Sequence, residues 1–389
     1  MNFLNKQSMN LKQGAIRAMF DRAAGMADVI SLGIGEPDMS TPSEICRAAA
    51  EALDRGITHY TPNAGFLSLR CAVAETAALR EIGYDPNTEI MIGNGGMGLL
   101  SLLMATIIDP GDEVLVQDPQ WLNYIGQICH YGGVPVRVPT DASLNFEMQP
   151  EVIEGLITEK TKALMINSPN NPTGHVISRG TLEKIAEIAR HRDLLVISDE
   201  VYSTLLYDDA RHRTIASLPG MKERTVVINS FSKAYAMTGW RLGYAAGPKE
   251  IIDRMTRNQE NFNACANAPG QQAALTALAH PELTEELRQT FARRRQILLE
   301  GLNSIEGFSC HAPKGAFYLF PDISAFGLDD ETFCDRLLEE ERVVCIPGSA
   351  FGACGAGHIR MAYTTSEADL HTAIARIRSF CRRLRQSEA

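Results

Sequence analysis

Metal-binding and redox patterns are missing from this sequence of 389 residues. Its nine cysteines include no C-x-x-C pair, and its nine histidines include no H-E-x-x-H motif. These absences argue against a zinc cluster and against a redox-active cysteine pair. We therefore expect no metal site. We expect the cysteines to be free thiols in a reducing compartment, either buried or without a specific role.

Long apolar runs are missing as well. No run approaches the ~20 residues that a membrane helix needs. The first residues, Met1–Gln7, also lack the apolar stretch of a secretory signal. We predict that the protein does not enter a membrane and that it is cytoplasmic.

Basic residues are fewer than acidic ones, 37 against 47, which gives a net charge of −10. Nucleic acid is therefore not an expected partner, because phosphate backbones are bound by basic surfaces. The apolar fraction of 45% is ordinary for a soluble globular protein. The partners we expect are small molecules, and the length is sufficient for two domains.

Short apolar runs alternate with helical patterns through the middle of the chain. Lys162–Asn167 and Leu194–Ser198 read as buried strands, and Thr181–His191 between them has apolar residues at helical spacing. This order predicts an α/β fold with a large, doubly wound, mostly parallel sheet. We assign residues 46–280 to this large domain.

The pattern changes near residue 281, where a long charged amphipathic helix begins. Short strands and two further helical patterns follow it. We predict a smaller α+β domain that combines residues 281–389 with residues 1–45, since the first segment has little strand pattern of its own.

Three polar segments follow predicted strands or open predicted helices. Asn94–Gly98 is a glycine turn before a helix, which suits a phosphate but is more often only a turn. Asn167–Gly174 is a polar loop, and Asp199 and Glu200 directly follow a buried strand. Ligands of α/β proteins bind at such strand ends, and a buried carboxylate there should have a cationic partner.

Lys233 carries the most specific signal. It follows the apolar strand Thr225–Asn229, two serines precede it, and Arg241 comes eight residues later. Most lysines are solvated surface residues. Here the neighbouring positive charge would lower the pKa of the amine, and the hydroxyls would suit a phosphate. That grouping favours a lysine that forms a Schiff base with an aldehyde cofactor.

These segments together resemble the fold-type-I pyridoxal-phosphate enzymes, and among them the aspartate-aminotransferase-like group of class I and II, of the bacterial aminotransferase A type. The resemblance rests on the strings S-P-N-N-P-T-G, S-D-E-V-Y and S-F-S-K-(x)4-T-G-W-R-L-G, with S-L-G-I-G-E-P-D near the start and I-R-M-A-Y near the end. It covers nearly the whole chain. It implies an aminotransferase that uses pyridoxal 5′-phosphate.

The resemblance also implies catalytic roles. Lys233 would hold the cofactor and would act as the general base and acid of the proton shift. Asp199 would pair with the protonated ring nitrogen. Asn171 and Tyr202 would donate hydrogen bonds to the ring oxygen. Trp121 would stack on the ring, with a role as an ordinary core tryptophan as the alternative.

Further roles concern the phosphate, the substrate and the partner subunit. The phosphate would be held by Gly95, Gly96, Ser230, Ser232 and Arg241, and Met97 directly follows the glycine pair. Arg360 would clamp the substrate carboxylate, with backbone help from Gly35, while Trp121 and Asn171 would also touch the substrate. Tyr60 would reach the cofactor phosphate of a neighbouring subunit, which implies a homodimer with shared active sites.

One position departs from the pattern of many aspartate-type relatives. They carry lysine directly after the glycine pair, where this chain has Met97. A pocket for a distal carboxylate is therefore in question, and an apolar or aromatic substrate side chain suits Met97. The usual acceptor, 2-oxoglutarate, still needs a cation, for which Arg17 and Lys12 are candidates.

The expected function is transfer of an amino group from a neutral, aromatic or aspartate-like L-amino acid to a 2-oxo acid, in a ping-pong reaction. A carbon–sulfur β-lyase on the same fold is the alternative within the enzymes. A ligand-sensing regulator with an aminotransferase-like body is the alternative of another class. Such regulators usually add a basic DNA-binding domain, for which the segment before residue 31 leaves little room.

Overall fold

A computed structural model describes residue 3 and residues 14–388 of the chain. Its strands in chain order are β1 Ile30–Ser31, β2 Ile90–Gly93, β3 Glu113–Asp118, β4 Val134–Pro139, β5 Thr161–Asn167, β6 Leu195–Asp199, β7 Thr225–Ser230, β8 Gly243–Ala246, β9 Tyr318–Leu319, β10 Val343–Val344, β11 Ile346–Pro347 and β12 Ile359–Ala362.

The α-helices of the same residues run between and after these strands. They are α1 Ala15–Ala23, α2 Ser43–Asp54, α3 Leu67–Ala74, α4 Gly95–Ile107, α5 Asn123–His130, α6 Pro150–Leu156, α7 Arg179–His191, α8 Phe231–Ala234, α9 Lys249–Asn263, α10 Ala268–Ala279, α11 Glu282–Asn303, α12 Asp330–Glu341 and α13 Glu367–Glu388. None of the helices within residues 14–388 combines the length and the hydropathy that a membrane crossing requires.

Seven strands form the main sheet in the order β2-β8-β7-β6-β5-β3-β4. β7, β6, β5, β3 and β4 pair in parallel, and β8 lies antiparallel between β2 and β7. The predicted α/β fold with a large, mostly parallel sheet is therefore confirmed. Because all of these strands except β8 point the same way, their carboxyl ends meet at one edge.

The central strands are apolar because helices cover both faces of the sheet. β7 is buried along its whole length, and β6 is buried from Val196 onward. Val226 and Ile228 pack with Leu99 of α4 on one face, whereas Val227 packs with residues of α3 and α10 on the other. Truncating Leu99 or Ile228 to alanine should cost roughly 2–5 kcal/mol of folding free energy.

Two small sheets connect the N-terminal segment with the C-terminal part of the chain. β1 pairs in parallel with β10, and β11, β12 and β9 form an antiparallel sheet. Leu32 continues this pairing, because its amide donates to Val344 and its carbonyl accepts from Ala362 at 2.6 Å. These contacts set the direction of the chain, so that the next residues, 33–36, run toward the main sheet. The domain boundaries after residues 45 and 280 stay a prediction.

Candidate active site

The carboxyl-terminal edge of the main sheet brings together the segments singled out in the sequence. The glycine turn follows β2, Asn167 ends β5, Asp199 ends β6 and Ser230 ends β7. β8 runs the other way and begins at Gly243, so Arg241 lies at the same edge. A cavity of about 290 Å³ lies between these groups.

Twelve of the predicted site residues line this cavity: Gly35, Gly96, Met97, Trp121, Asn171, Asp199, Tyr202, Ser230, Ser232, Lys233, Arg241 and Arg360. Gly95 lies beside it, because a Cβ on Gly95 would be 2.8 Å from Nη2 of Arg241. Tyr60 does not line it, since its side chain is 89% exposed on the surface of the subunit.

The sequence reading missed Tyr124, Asn167, Val201, Thr238 and Tyr318, which also line the cavity. Asn167 and Val201 flank strand ends already singled out, so adjacency could have found them. Tyr124 follows Trp121 by three residues, one turn of helix. Tyr318 comes from the distant strand β9, and no local pattern marks it.

Asp199 is buried at the end of β6, and its oxygens accept hydrogen bonds from neutral groups. Oη of Tyr124 donates to Oδ2 at 2.6 Å, and the amide of Val201 donates to Oδ1 at 3.3 Å. Burial raises the pKa of Asp199 to about 6, although the bond from Tyr124 opposes the rise. Within residues 14–388 no Lys, Arg or His forms an ion pair with this carboxylate. The cavity thus offers a place for a cation beside it.

Glu200 has a different environment, although it is the next residue. It is fully buried, and its Oε2 lies 2.8 Å from Nε2 of His212. Its other oxygen accepts from the hydroxyl of Ser198 at 2.8 Å. The group that the structure places against Glu200 is therefore an imidazole and not a lysine or an arginine.

Lys233 extends from the short helix α8 into the cavity. Its Nζ donates to the carbonyl of Gly35 at 2.5 Å. Burial lowers the pKa of the amine to about 8, and the positive charges of Arg360 and Arg241 lower it too, whereas Glu36 and Asp199 act in the opposite sense. A larger fraction of this amine than of an exposed lysine is therefore neutral near pH 7, and the neutral amine is the nucleophilic form.

An anion pocket adjoins Lys233. Ser230 caps α8, where its Oγ lies 2.8 Å from Oγ of Ser232 and accepts from the amide of Ser232. Arg241 holds a left-handed backbone (φ +55°), and its guanidinium reaches the turn at Gly95. Gly96 leaves space at the start of α4, since the nearest atom to a Cβ there would be 3.6 Å away. Hydroxyls, a guanidinium and a helix start converge here, as in phosphate sites.

Arg360 lies on β12 and is only 1% exposed, which excludes a surface salt bridge. Its Nη1 donates to Oδ1 of Asn171 at 3.0 Å and its Nη2 to the carbonyl of Gly33 at 2.6 Å. The guanidinium carbon lies 4.6 Å from the ring centre of Tyr318 and 4.9 Å from that of Phe351. Its Nε is buried without a hydrogen-bond partner among the described residues. The group is therefore held in place by two hydrogen bonds and two rings, while its other N–H groups have no partner among the described residues.

Tyr318 lies close to two other groups of the cavity lining, Tyr202 and Gly35. Its hydroxyl lies 2.8 Å from the hydroxyl of Tyr202, whose pKa is raised well above its usual value, mainly by burial. A Cβ on Gly35 would approach that same hydroxyl of Tyr318 to 2.2 Å. The absence of a side chain at Gly35 thus lets the backbone come close to Lys233.

Met97 and Trp121 also line the cavity, and both are partly exposed. Met97 is 39% exposed, and Nδ2 of Asn123 and Nε2 of Gln127 lie 3.5 and 3.6 Å from its sulfur. Trp121 is half-buried and packs edge-on against Tyr124, with ring centres 5.3 Å apart. Of the two suggested cations, Arg17 pairs with Asp21 on α1 and does not line the cavity, and Lys12 lies outside the described residues.

The glycine turn also fits a second ligand class by spacing. Gly93, Gly95 and Gly98 match the G-x-G-x-x-G spacing of dinucleotide-binding turns, and Asp118 ends the next strand. In dinucleotide-binding enzymes, an acidic residue at the corresponding place accepts a hydrogen bond from a ribose hydroxyl. Here the oxygens of Asp118 accept from the amides of Ala353 and Cys354, each at 3.1 Å. The acid is therefore engaged by backbone, which argues against a dinucleotide.

The sequence model described as "Aminotransferase class I and II" matches residues 27–377. The chain belongs to the class I and II aminotransferases. An aspartate aminotransferase of Pyrococcus abyssi is 45% identical over 371 residues, which are 94% of this chain and 95% of that protein. An aromatic-amino-acid aminotransferase of Thermococcus litoralis is 43% identical and covers 93% of this chain and 94% of its own.

A solved structure of similar fold is the aromatic aminotransferase of Pyrococcus horikoshii. It aligns with a TM-score of 0.89 and 44% identity, over 94% of this chain and all of that one. These matches confirm the resemblance and the assignment as an enzyme that transfers amino groups. They favour that assignment over the β-lyase and the regulator. Among the described residues, no group of three or more His, Cys, Asp or Glu side chains is arranged to hold a metal ion.

Proposed function

We propose that this aminotransferase uses pyridoxal 5′-phosphate and moves the amino group of an L-amino acid to a 2-oxo acid by a ping-pong reaction. The observation that carries the proposal is the position of Lys233. One cavity holds its amine, with a pKa of about 8, the buried carboxylate of Asp199 and an anion pocket of two serines and Arg241.

The residues present fit this cofactor in charge and in shape. The pocket of Gly95, Gly96, Ser230, Ser232 and Arg241 suits a phosphate group. Asp199 has no cationic partner among the described residues, and a protonated pyridine nitrogen would provide one. Trp121 adds an aromatic ring to the lining of the same cavity.

When bound, the cofactor supplies a carbonyl that accepts the amino group and a ring that withdraws electrons from the substrate carbon. Lys233 would hold it through Nζ and would then carry the proton between substrate atoms. The low pKa of that amine suits both directions of transfer near neutral pH. Asp199 would keep a proton on the ring nitrogen, and burial strengthens such an interaction by excluding water.

The remaining side chains would orient the cofactor and the substrate. Asn171 and Tyr202 would donate hydrogen bonds to the ring oxygen. Arg360 would bind the substrate carboxylate, for which it is already held between Tyr318 and Phe351. Gly35 faces the same space, and its carbonyl would release the amine of Lys233 once that amine is engaged elsewhere.

Neutral and aromatic donors suit the cavity better than aspartate, and 2-oxoglutarate is the acceptor we propose. Met97 presents a thioether where a distal carboxylate would need a cation. The named relatives include both aspartate and aromatic-amino-acid aminotransferases, so both donor classes occur at this level of similarity. The cation for the acceptor would come from the N-terminal segment or the partner subunit.

A cytoplasmic homodimer with shared sites completes the proposal. Tyr60 is 89% and Phe262 61% exposed, so both aromatic side chains are accessible to a second subunit. The loop after Tyr60 is nevertheless fixed, because Oε1 of Gln271 accepts from the amide of Phe66 at 2.7 Å and its Nε2 donates to Thr61. A rigid loop that presents an exposed tyrosine suits a contact with a second subunit.

Borohydride reduction of the holoenzyme followed by peptide mapping tests the proposal. The pyridoxyl group should be found on Lys233, and Lys233→Ala should abolish both the label and activity while the protein still folds. Lys162→Ala is the matched control, because Lys162 pairs with Asp112 on the surface, away from the cavity. A pyridoxyl label on any other lysine would refute the central assignment.

A further inference from the structure

A second cavity, of about 1270 Å³, lies beside the candidate active site. It is lined by parts of three segments, residues 75–81, 203–217 and 229–235, with a few residues of neighbouring elements. Ser230 lines both cavities, so the two cavities adjoin at this residue. The proposed reaction uses none of the groups on the far side of this residue.

The charge of the lining is opposite to that of the whole chain. Four arginines line the second cavity against two glutamates: Arg80, Arg179, Arg211, Arg213, Glu75 and Glu81. Arg179 pairs with Glu183 at 2.7 Å. The side chains of Arg80, Arg211 and Arg213 make no hydrogen bond or ion pair within residues 14–388. A local excess of positive charge on a protein of net charge −10 marks a place for an anion.

Two buried polar atoms in the lining supply an independent observation. Oγ1 of Thr214 and Nδ1 of His212 are buried and have no hydrogen-bond partner among the described residues. The side chain of His212 is 9% exposed, and Thr214 is 4% exposed. Leaving such atoms without a partner costs free energy, so most buried polar groups in proteins are satisfied.

The orientation of His212 follows from its other nitrogen. Nε2 lies 2.8 Å from Oε2 of Glu200, which fixes the ring and leaves Nδ1 on the side away from Glu200. In the imidazolium form both ring nitrogens donate, so the ring can serve Glu200 and an anion at the same time. Oγ1 of Thr214 can donate to the same anion.

We propose that the second cavity binds a small organic anion that carries carboxylate or phosphate groups. Thr214 and His212 would donate to it from the buried side, and Arg211 and Arg213 from the exposed side. Guanidinium and hydroxyl donors together are the usual receptors for both anions. This inference does not rest on the cofactor or the donor amino acid proposed above.

Isothermal titration of the holoenzyme with inorganic phosphate, malonate and citrate, in a buffer free of other polyvalent anions, tests the proposal. At least one of the three should bind. Binding of phosphate alone would assign the site to phosphates, and binding of malonate or citrate alone would assign it to carboxylates. Arg360→Gln should leave this affinity unchanged, since Arg360 lines the other cavity, and this variant separates the two sites.

Arg211→Gln with Arg213→Gln should raise the dissociation constant by about tenfold or more, because two charge-assisted contacts are lost. Arg254→Gln with Arg382→Gln is the matched control. Both arginines are exposed and do not line the cavity, and the two substitutions remove the same charge as the cavity pair. Thr214→Val should weaken binding while it leaves the fold intact, because the lost hydroxyl has no partner among the described residues. Without added anion, transamination by all of these variants except Arg360→Gln should match the wild type.

Proton NMR of the histidine rings gives a second readout. The signal of His212, assigned by its loss in His212→Gln, should move on addition of the probe that binds. The proposal is overturned if none of the three probes binds. It is also overturned if the control pair of substitutions weakens binding as much as the cavity pair. An unchanged chemical shift of the His212 ring when a probe is bound would overturn it as well.

Discussion

Oη of Tyr124 donates a hydrogen bond of 2.6 Å to Oδ2 of Asp199, and both groups are buried at the edge of the main sheet. α5 carries the tyrosine and β6 the carboxylate. This bond lowers the pKa of Asp199, and burial raises it, to a net value of about 6. Tyr124 therefore helps to keep ionised the group that we propose for the ring nitrogen of the cofactor.

Tyr124→Phe should move the acidic limb of the pH profile of kcat/KM to higher pH, by about one unit or more. Without the phenol, only the amide of Val201 and the charge of Lys233 still oppose the effect of burial, so the carboxylate takes up a proton at a higher pH. The neutral acid cannot hold positive charge on the ring. Tyr131→Phe is a control, because Tyr131 contacts Ser101 and not Asp199. An unchanged acidic limb would mean that the bond to Tyr124 does not matter for Asp199.

Asp199→Asn should reduce kcat by about 10²-fold or more while the cofactor is retained, because an amide cannot keep the ring nitrogen protonated. Single-turnover rates with a good donor measure this loss. Turnover close to that of the wild type would assign Asp199 a purely structural role.

The same variant should change the stability of the apoprotein in a pH-dependent way. The folded pKa of Asp199, about 6, lies above its ordinary value of 3.8, so its contribution to stability is present below pH ~4 and is lost as pH rises through ~6. We therefore compare the free energy of unfolding of apo Asp199→Asn with that of the apo wild type at the same pH. This difference should be up to ~3 kcal/mol more favourable to the variant at pH 8 than at pH 4. Urea unfolding at the two pH values measures the difference, and equal differences would exclude a raised pKa.

The amine of Lys233 should titrate near pH 8 in the apoprotein, because burial lowers its pKa from 10.5. The rate of its reaction with an amine-directed reagent should rise with pH through that value, since only the neutral amine reacts. Arg360→Gln removes a nearby positive charge and should shift the midpoint upward. A midpoint near that of an exposed lysine in the wild type would contradict the environment described for Lys233.

Tyr60→Phe should weaken cofactor retention only if the subunits share their sites. Mixing subunits that carry Tyr60→Phe with subunits that carry Lys233→Ala tests this. In a shared-site heterodimer both lesions can fall in one site and leave the other intact, so activity should exceed that of either parent. No gain after proven subunit exchange would argue that Tyr60 acts within its own subunit or not at all.

Met97→Lys should shift donor preference toward aspartate. A distal carboxylate buried beside Met97 without a cation would be strongly disfavoured, since burial of even an uncharged polar group without a hydrogen bond costs about 2–7 kcal/mol. The neighbours of the sulfur, Asn123 and Gln127, are neutral, so a new ammonium would stay available to the substrate. Met97→Leu is the control and should leave the preference unchanged. Half-reactions with aspartate and phenylalanine measure it, and a strong aspartate preference of the wild type that Met97→Lys leaves unaltered would contradict the role of Met97.

Strand ends and chemical motifs were readable in the sequence because they are local. Apolar runs of five or six residues predict buried strands. Parallel strands place their carboxyl ends at one edge, so Asn171, Asp199 and Lys233 could be assigned to one site before any contact was known. The short strands near the C-terminus were less well defined. The run Ala316–Phe320 contains only the two-residue strand Tyr318–Leu319, since pairing with β12 rather than apolar character decides its length.

The sequence by itself determined the fold class, the family and the identity of most groups in the candidate site, because these depend on residue type and spacing along the chain. Only the tertiary structure decided which groups meet across long separations. The hydroxyl of Tyr124 contacts Asp199, and the imidazole of His212 contacts Glu200. Arg360 lies between the rings of Tyr318 and Phe351. The tertiary structure also decided the pKa of Lys233, since burial and the charges of Arg360 and Arg241 arise only once distant segments pack together.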